Sequence, residues 1–241
     1  MEGRPTILVP VRVLEGESIP EGVPELLANA HVVLLGYHVV PDQTATDQAR
    51  EQFEATARAR LDEYAGILEA AGATVASRLV FTHRGQKTID RMIEEHGCLS
   101  VLIPNATGPP ESVLVAVRGT VGLDRFVRVL VGLFEGTEVG ITLYHVAEEG
   151  ETDEDVAMLL DGIAGRLTDE GIDSASIETQ IARGGNPQAA IVDDADAFDA
   201  VVMGESDPSV ATLVFGMRAE KVAKRFLGPV FVVQRRKPGE D

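Results

Sequence analysis

Residues 6–12 read TILVPVR, and the same pattern returns at residues 112–118 as SVLVAVR. Each stretch is a short apolar run that closes on an arginine, as expected for a parallel strand that is buried on both faces and then enters a loop. A second landmark, Tyr37-His38-Val39, returns as Tyr144-His145-Val146 at nearly the same offset. Two landmarks that share one offset indicate a duplicated unit of domain size.

This duplication divides the chain into two predicted domains, residues 1–108 and 109–241, with a turn and linker at Asn105 to Pro110. In each copy, apolar runs alternate with stretches whose apolar residues recur every three or four positions, which indicates strands alternating with helices. Thr44 with Asp47 predicts a capping box at the start of the first long helix. The predicted strands are residues 7–11, 31–40, 79–82 and 98–103, then 113–117, 139–146, 174–181, 200–203 and 229–233.

Alternating strands and helices predict right-handed crossovers, and hence a doubly wound, parallel α/β sheet in each domain. In such a sheet, ligands bind beyond the carboxyl ends of the strands, beside the first strand. The candidate site positions therefore follow Val11, Val40 and Ile103 in the first copy, and Val117, Val146 and Met203 in the second.

The chain of 241 residues carries 39 acidic and 21 basic residues, a formal net charge of −18, and only 4 of the bases are lysine. Such a field repels nucleic acid and anionic membrane surfaces, so we expect no nucleic-acid partner. The acidic residues are spread along the whole chain, which makes them a property of the folded surface. An acidic, lysine-poor surface resembles that of proteins from salt-accumulating archaea.

The charge predicts that stability rises with salt. At molar salt the Debye length is about 3 Å, so the self-repulsion of the acidic surface is screened. We expect the melting temperature to increase from low to molar KCl, as measured by thermal unfolding. A melting temperature that stays flat over this range would contradict the halophilic interpretation.

Sequence features also predict a cytoplasmic protein without membrane insertion. No stretch approaches the roughly 18–20 uncharged apolar residues that cross a bilayer. The first residues lack the layout of a signal peptide. Cys98 has no second cysteine with which to form a disulfide within the chain.

Several motifs, taken in order, resemble the universal stress protein family over nearly the whole chain, as two tandem copies. They are the strand ILVPV, Tyr-His-Val at the end of the second strand, Gly185-Asn186-Pro187, Val201 to Gly204, Phe215-Gly216 and Gly228 to Val233. This resemblance implies a Rossmann-like fold of the adenine nucleotide alpha hydrolase type. It also implies ATP or a related nucleotide, held by an aspartate after the first strand and a Gly-x2-Gly-x9-Gly-Ser/Thr loop after the fourth. Glycines in that loop let backbone N–H groups approach phosphate.

The second domain departs from this pattern at the key positions of the nucleotide site. Arg118 stands where the family has the aspartate, and Asp207 stands where it has the second glycine. The loop after the fourth strand is one residue shorter than in the family, and the thioether of Met217 replaces the Ser/Thr hydroxyl. With the end of the second strand included, the degenerate site comprises Arg118, Val146, Gly204, Asp207, Gly216 and Met217.

The first domain departs further from the family. Arg12 occupies the place of the aspartate, as Arg118 does in the second copy. After Val101 to Pro104 the chain enters the second copy almost directly, so the phosphate loop and the fifth strand are absent. The first domain is therefore predicted to be truncated after its fourth strand.

These departures favour a non-enzymatic stress-response or regulatory protein with no firmly implied cofactor. The alternative is a nucleotide switch or slow ATPase that uses ATP or AMP in the second domain alone. A phospho-receiver fold shares the layout but needs an acidic pocket at the first strand end, where Arg12 and Arg118 stand. The sequence contains no Walker loop, no Gly-x-Gly-x-x-Gly after a strand and no nucleophile elbow.

The terminal strand comprises Val230, Phe231, Val232 and Val233, and it would be the edge strand of the second domain. An apolar edge invites pairing, and in the resembled family this strand mediates contacts across a two-fold axis. We therefore predict a homodimer through it. The alternative is that it packs within the chain against the first domain, whose own fifth strand is missing. The resemblance also suggests a membrane transporter or another protein as a partner.

Four further residues have competing interpretations. Arg12 and Arg118 either form an anion site beyond the strand ends or pair with nearby carboxylates, and the abundance of acids favours pairing. His38 and His145 have no second ligand at a metal-like spacing, so a structural role is favoured and no metal is predicted.

Cys98 is predicted to be a small buried hydrophobic residue rather than a reactive thiol. Its only nearby histidine in the sequence is His96, and no basic neighbour flanks it to activate the thiol.

Overall fold

The computed structural model describes residues 4–118, 122–183, 187–204 and 228–234. In these residues the chain forms nine strands and six α-helices. The strands are Thr6–Val11 (β1), His31–Val39 (β2), Thr74–Thr82 (β3), Ser100–Ile103 (β4), Ser112–Ala116 (β5), Gly140–Ala147 (β6), Ile177–Arg183 (β7), Ala200–Gly204 (β8) and Val230–Val233 (β9). The helices are Val23–Leu26 (α1), Thr46–Ala70 (α2), Gly85–His96 (α3), Leu123–Phe134 (α4), Asp153–Asp169 (α5) and Pro187–Ala195 (α6).

The nine strands form a single sheet in the order β3-β2-β1-β4-β9-β8-β5-β6-β7. Seven of the neighbouring pairs are parallel, and β4 with β9 is antiparallel. The order β3-β2-β1-β4 in the first half has the same connectivity as β7-β6-β5-β8 in the second. The predicted doubly wound, mostly parallel α/β fold is confirmed. The division into domains 1–108 and 109–241 stays a prediction, since the sheet runs continuously through both halves.

The terminal strand β9 is an interior strand of this sheet. Phe231 is in register with Leu102 of β4 on one side and with Val202 of β8 on the other. The predicted exposed edge at Val230 to Val233 is therefore wrong, and so is the homodimer contact through it, because both hydrogen-bonding sides of the strand are used within the chain. The alternative pairing with the first half is the one observed. β9 occupies the position beside β4 that a fifth strand of the first half would take.

Helices cover both faces of the sheet. The largest cluster of buried apolar residues lies on one face, where α1, α2, α4 and α5 pack, and it includes strand residues from both halves and from β9. On the other face, α3 packs over the first half and α6 over the second, each with its own smaller cluster. The main core is thus shared between the halves, which ties their stabilities together.

Contacts between the halves also lie outside the sheet. The Asn29 side chain donates a hydrogen bond to the Leu133 carbonyl at 3.3 Å. Asn105, in the segment after β4, donates to the Gly228 carbonyl at 3.1 Å. The Gly132 backbone in α4 lies so close to Pro5 that an added Cβ would be 2.4 Å from the proline Cδ. The two halves therefore pack closely against each other outside the sheet as well.

Some element boundaries differ from the sequence prediction. The predicted capping box at Thr44 is wrong, because α2 has Ala45 as its N-cap, with no side-chain cap bond, and the Thr44 amide closes a turn onto Pro41. The short helix α1 was not predicted. β3 begins at Thr74, five residues before the predicted strand. The alternation of strands and helices also predicts a helix between β8 and β9, and that part of the chain lies outside the described residues.

Within the described ranges, no helix combines the length and the hydrophobicity that crossing a bilayer requires.

Candidate functional site

The two crevices that the fold predicts lie at opposite ends of the strands, on opposite sides of the sheet along the strand direction. Strands β1 and β4 run parallel to each other, whereas β9, β8 and β5 run in the other direction because β4 and β9 are antiparallel. The carboxyl ends of β1 and β4 therefore define a first crevice. The carboxyl ends of β5 and β8 point the other way and define a second crevice. Each crevice has to be assessed separately.

In the first crevice, Arg12 is bound by groups of its own neighbourhood. Its Nε donates to the Tyr37 hydroxyl at 3.1 Å, and one terminal nitrogen donates to the Glu15 carboxylate at 3.1 Å. The Arg12 backbone N–H donates to Glu17 Oε2 at 2.6 Å. The hydrogen bond to Tyr37, and then the one to Glu15, raise the pKa of Arg12 further above its ordinary value. The guanidinium is a permanent cation whose main partners are already in place.

The segment that follows β1 is fixed over the first crevice by further hydrogen bonds. The Tyr64 hydroxyl of α2 donates to the Glu17 carbonyl at 2.6 Å. Gly22 adopts φ of +80°, a conformation that favours glycine, and an added Cβ there would lie 2.4 Å from the Gly108 carbonyl oxygen. The Thr107 amide donates to the Glu21 carbonyl at 3.1 Å. The loop after β1 and the segment after β4 thus pack against each other beside this crevice.

In the second crevice, Arg118 pairs with Glu148. A terminal nitrogen of Arg118 donates to Glu148 Oε1 at 2.9 Å, and about half of each side chain is exposed, at 52% and 53%. An exposed pair of this kind stabilises a protein by only about 0–1 kcal/mol. Pairing with carboxylates, the favoured interpretation for both arginines, is confirmed. Glu148 can leave Arg118 at small energetic cost.

His145 lies behind this pair and is almost completely buried, with 3% of its side chain exposed. Its Nδ1 is 2.9 Å from the Val117 carbonyl oxygen, at the end of β5, and its Nε2 is 3.0 Å from Glu151 Oε2. The same Glu151 oxygen accepts the Glu148 backbone N–H at 2.7 Å. His145 therefore connects the end of β5 to the turn between β6 and α5.

The surroundings of Glu151 favour its ionised form. The hydrogen bond from His145, the backbone N–H of Glu148 and the charge of Arg183 lower the pKa of the Glu151 carboxyl. A carboxylate with a lowered pKa contributes stability that is present above its unfolded-state pKa. That contribution is lost as the pH falls through the lower pKa of the folded state.

Two equivalent tyrosines of the duplicated halves have different partners. Tyr37 accepts from Arg12, whereas the Tyr144 hydroxyl donates to Asp194 of α6 at 2.5 Å. Burial, and then the hydrogen bond to Asp194, raise the pKa of Tyr144 above its ordinary value. The two crevices have thus diverged in their polar contacts while their strands keep the same connectivity.

The structure brings together three of the predicted site residues. Arg118 follows β5, Val146 lies near the end of β6 and is buried, and Gly204 ends β8, the strand on the other side of β5. Asp207, Gly216 and Met217 lie outside the described residues. The role of Glu151 was missed by the sequence, because a glutamate in an acid-rich turn gives no signal of the histidine that it meets in the fold.

Two predictions about single residues can be compared with their surroundings. Cys98 is buried, which confirms the prediction of a small buried hydrophobic residue, and burial raises the pKa of its thiol to about 12. In the described part of the chain, no group of three or more His, Cys, Asp or Glu side chains is arranged to hold a metal ion. The bonds of His145 to Val117 and Glu151 give it a structural role.

Comparison with known proteins identifies the fold. No family model matches the sequence, and no curated protein matches it. A universal stress protein from Archaeoglobus fulgidus DSM 4304 superposes with a TM-score of 0.64 at 20% sequence identity, over 95% of this chain and 96% of that one. The chain has the universal stress protein fold.

Two further universal stress proteins resemble the chain less closely. One from Archaeoglobus fulgidus, in complex with dAMP, has a TM-score of 0.39 at 24% identity and covers 51% of this chain and 96% of its own. A putative one from Pseudomonas aeruginosa UCBPP-PA14 has a TM-score of 0.47 at 15% identity, covering 96% and 94%. These two scores are too low to bear on the fold, and the assignment of the fold depends on the first superposition.

Proposed function

We propose that this chain is a non-enzymatic regulatory protein of the universal stress type, in which neither crevice binds a nucleotide tightly. The observation that carries the proposal is the state of the two arginines. In the resembled family an aspartate follows the first strand and accepts hydrogen bonds from the nucleotide. Here each position is a guanidinium, and each guanidinium is neutralised by a glutamate of the same chain.

Electrostatics supports weak binding in the second crevice. Glu148 pairs with Arg118 at its mouth, and Glu151 accepts the Glu148 amide in the same turn. Two like charges at 4 Å repel by about 4 kcal/mol at an effective dielectric constant of 20. A polyphosphate that approaches Arg118 must displace Glu148 and leave its charge nearby. Screening by salt reduces this repulsion, but it does not create an acceptor where the aspartate is missing.

The first crevice is even less suited to a nucleotide. Arg12 already bonds to Tyr37 and Glu15, and the segments on either side of Gly22 and Thr107 pack together beside it. The chain passes from β4 to β5 through residues 104–111, which leaves no length for a phosphate loop. We therefore assign no nucleotide to this half.

The proposal predicts that purified protein carries no nucleotide and gains no thermal stability from ATP or AMP. Native mass spectrometry at high salt measures bound small molecules and the number of subunits together. Thermal unfolding with and without millimolar nucleotide then measures the change in melting temperature. A co-purified nucleotide, or a rise in melting temperature that Gly204→Glu abolishes, would contradict the proposal.

A co-purified nucleotide, or a rise in melting temperature with nucleotide, would support the second candidate function. That function is a nucleotide switch or slow ATPase confined to the second half. One observation favours it. Arg118 is half exposed, pairs only weakly with Glu148, and lies at the same strand edge as Gly204 and Val146. If Glu148 swings away, the guanidinium is available to a phosphate. The Gly204→Glu variant separates the candidates because it affects only ligands that enter beside β8.

We further propose a cytoplasmic location and a protein partner, which the resemblance suggests is a membrane transporter or another protein. The acidic surface supports a partner whose contact surface is basic. Binding through charge is expected to weaken as salt is raised, whereas the protein itself becomes more stable. This opposite salt dependence distinguishes partner binding from folding.

A further inference from the structure

Two donors of Arg12, the first residue after β1, converge on one carboxylate. The Arg12 backbone N–H donates to Glu17 Oε2 at 2.6 Å, and Nε of the Arg12 side chain lies 4.0 Å from the other oxygen, Glu17 Oε1. A hydrogen bond from a backbone N–H to an ionised group is stronger than one between neutral groups. A backbone donor and a cation directed at the same two oxygens are the elements of an oxyanion site, and here the oxyanion belongs to the chain itself.

The guanidinium is held in place by groups other than Glu17. The Tyr37 hydroxyl accepts from Nε at 3.1 Å, and Glu15 accepts from a terminal nitrogen at 3.1 Å. Tyr37 is buried in β2, so its hydroxyl is a fixed partner. These contacts remain when the Glu17 side chain moves, and the cation therefore stays at the carboxyl end of β1, where open α/β sheets bind their ligands.

The backbone of the loop after β1 is also anchored independently of the Glu17 carboxylate. The Tyr64 hydroxyl donates to the Glu17 carbonyl at 2.6 Å, and Arg60 donates to the Val13 carbonyl at 2.8 Å. Both donors belong to α2, and the Val13 side chain is fully buried in the main core. Loss of the Glu17 side chain therefore leaves the loop in position and vacates only the space in front of the Arg12 N–H.

The Glu17 side chain is held loosely compared with this framework. It is 48% exposed, as is the side chain of Arg12, and an ion pair with this exposure contributes little to stability. Its advantage over a free anion is its covalent attachment five residues along the chain. A short tether gives a group an effective concentration of the order of millimolar, which a competing anion has to exceed.

We propose that the first crevice contains an oxyanion site, formed by the backbone N–H and the guanidinium of Arg12, which Glu17 occupies as an internal ligand. The site takes a small oxyanion, a carboxylate or a phosphate, in place of the Glu17 carboxylate. In the wild-type chain Glu17 keeps such anions out, so the contact is autoinhibitory. The proposal concerns the first crevice alone and does not rest on the absence of nucleotide from the second.

Glu15 limits the affinity of the vacated site. It remains bound to the guanidinium when Glu17 is removed, and its charge repels an entering anion. We therefore expect weak binding even in the vacated site. The decisive quantity is the change in affinity between matched variants at a fixed ionic strength, where general screening is the same for all of them.

Titration of the full chain with acetate and with inorganic phosphate tests the proposal, with Glu17→Ala as the variant that vacates the site. The chemical shift of the Arg12 amide reports binding at this position. We expect the half-saturating concentration of each anion to be at least about tenfold lower in Glu17→Ala than in the wild type. This ratio corresponds to one hydrogen bond to a charged group.

Hydrogen exchange of the Arg12 amide provides a second measurement. Its protection should be present in the wild type, be lost in Glu17→Ala and return when acetate or phosphate is added to that variant. Rescue by a free anion distinguishes an oxyanion site from a purely structural role of Glu17, which an added anion would not replace.

Two further variants serve as controls. Glu15→Ala removes the same charge from the same guanidinium but leaves the Arg12 N–H bonded to Glu17, so its affinity for both anions should stay close to that of the wild type. Glu17→Gln keeps the length of the side chain and an oxygen that accepts from the amide, but it lacks the charge. Its affinity should lie between those of the wild type and Glu17→Ala.

The proposal is overturned if neither anion shifts the Arg12 amide of Glu17→Ala, if added anion does not restore protection, or if Glu15→Ala gains as much affinity as Glu17→Ala. Should Glu17→Ala fail to fold, equal affinities of Glu17→Gln and the wild type would overturn it. The Arg12 amide responds to ligands of the first crevice, whereas Gly204→Glu reports on the second. Failure of this proposal is therefore distinguishable from failure of the proposed function.

Discussion

Replacing Phe231 by alanine is expected to lower the free energy of unfolding by about 3–5 kcal/mol, the usual loss for a fully buried phenylalanine. Phe231 is 0% exposed and belongs to the core cluster shared by both halves. It lies on the central strand β9, in register with Leu102 on one side and Val202 on the other. The cavity left by its ring would open between the halves, so we expect both of them to lose stability together.

Urea unfolding measures the loss in the free energy of unfolding, and hydrogen exchange shows which strands lose amide protection. Amides of β1 in the first half and β6 in the second should lose protection to a similar extent. Met158→Ala is the control, since Met158 is 70% exposed on α5 and its replacement should change stability by less than about 0.5 kcal/mol. Loss of protection confined to the second half would show that the halves unfold independently, contrary to a single cooperative sheet.

Gly132→Ala is expected to destabilise the protein, although alanine is the better helix former. In an unconstrained helix this change stabilises by about 0.8–1 kcal/mol. At Gly132 the added Cβ would lie 2.4 Å from Cδ and 2.9 Å from Cγ of Pro5, whose ring cannot move aside. Overpacking of this kind costs about 1–3 kcal/mol, so the net result is a loss of up to about 2 kcal/mol.

Gly162→Ala provides the matched control. Gly162 is also in the interior of a helix, α5, but an added Cβ there meets no atom within 4 Å. We expect this variant to be more stable than the wild type by about 0.8–1 kcal/mol. Thermal and urea unfolding of the two variants should therefore give changes of opposite sign. If both variants are stabilised, the close approach of α4 to the start of β1 is not as the structure has it.

Sequence periodicity was most informative about single strands and helices, whose pattern of apolar residues reflects how that one element is buried. The alternation of buried runs and amphipathic stretches predicted the strands and helices of both halves, since a parallel strand is apolar throughout and a surface helix is apolar on one side. It was less accurate at boundaries. Thr44 satisfies the capping pattern, yet its amide is used in a turn onto Pro41, and α2 begins two residues later.

The candidate site was predicted only in part, for a similar reason. The strand ends that carry Arg12, Arg118, Val146 and Gly204 follow from the order of elements, because parallel strands expose their carboxyl ends at one edge. Some partners of the two arginines are distant in sequence, namely Tyr37 of β2 for Arg12 and Glu148 of the turn before α5 for Arg118. Nothing in the local sequence indicates that Glu151 lies against His145, or that the Tyr37 hydroxyl accepts from Arg12 Nε.

By itself, the sequence determined the α/β class, the duplicated order of strands and the arginine at the end of each first strand, because these depend on local pattern and on connection rules. Only the tertiary structure decided where β9 pairs. Its apolar residues are equally suited to an exposed edge that pairs with a second chain and to an interior position. The antiparallel register of Phe231 with Leu102 arises because β4 has an open side and β9 is its neighbour in the folded chain. That pairing joins two halves into one sheet, and no local pattern encodes it.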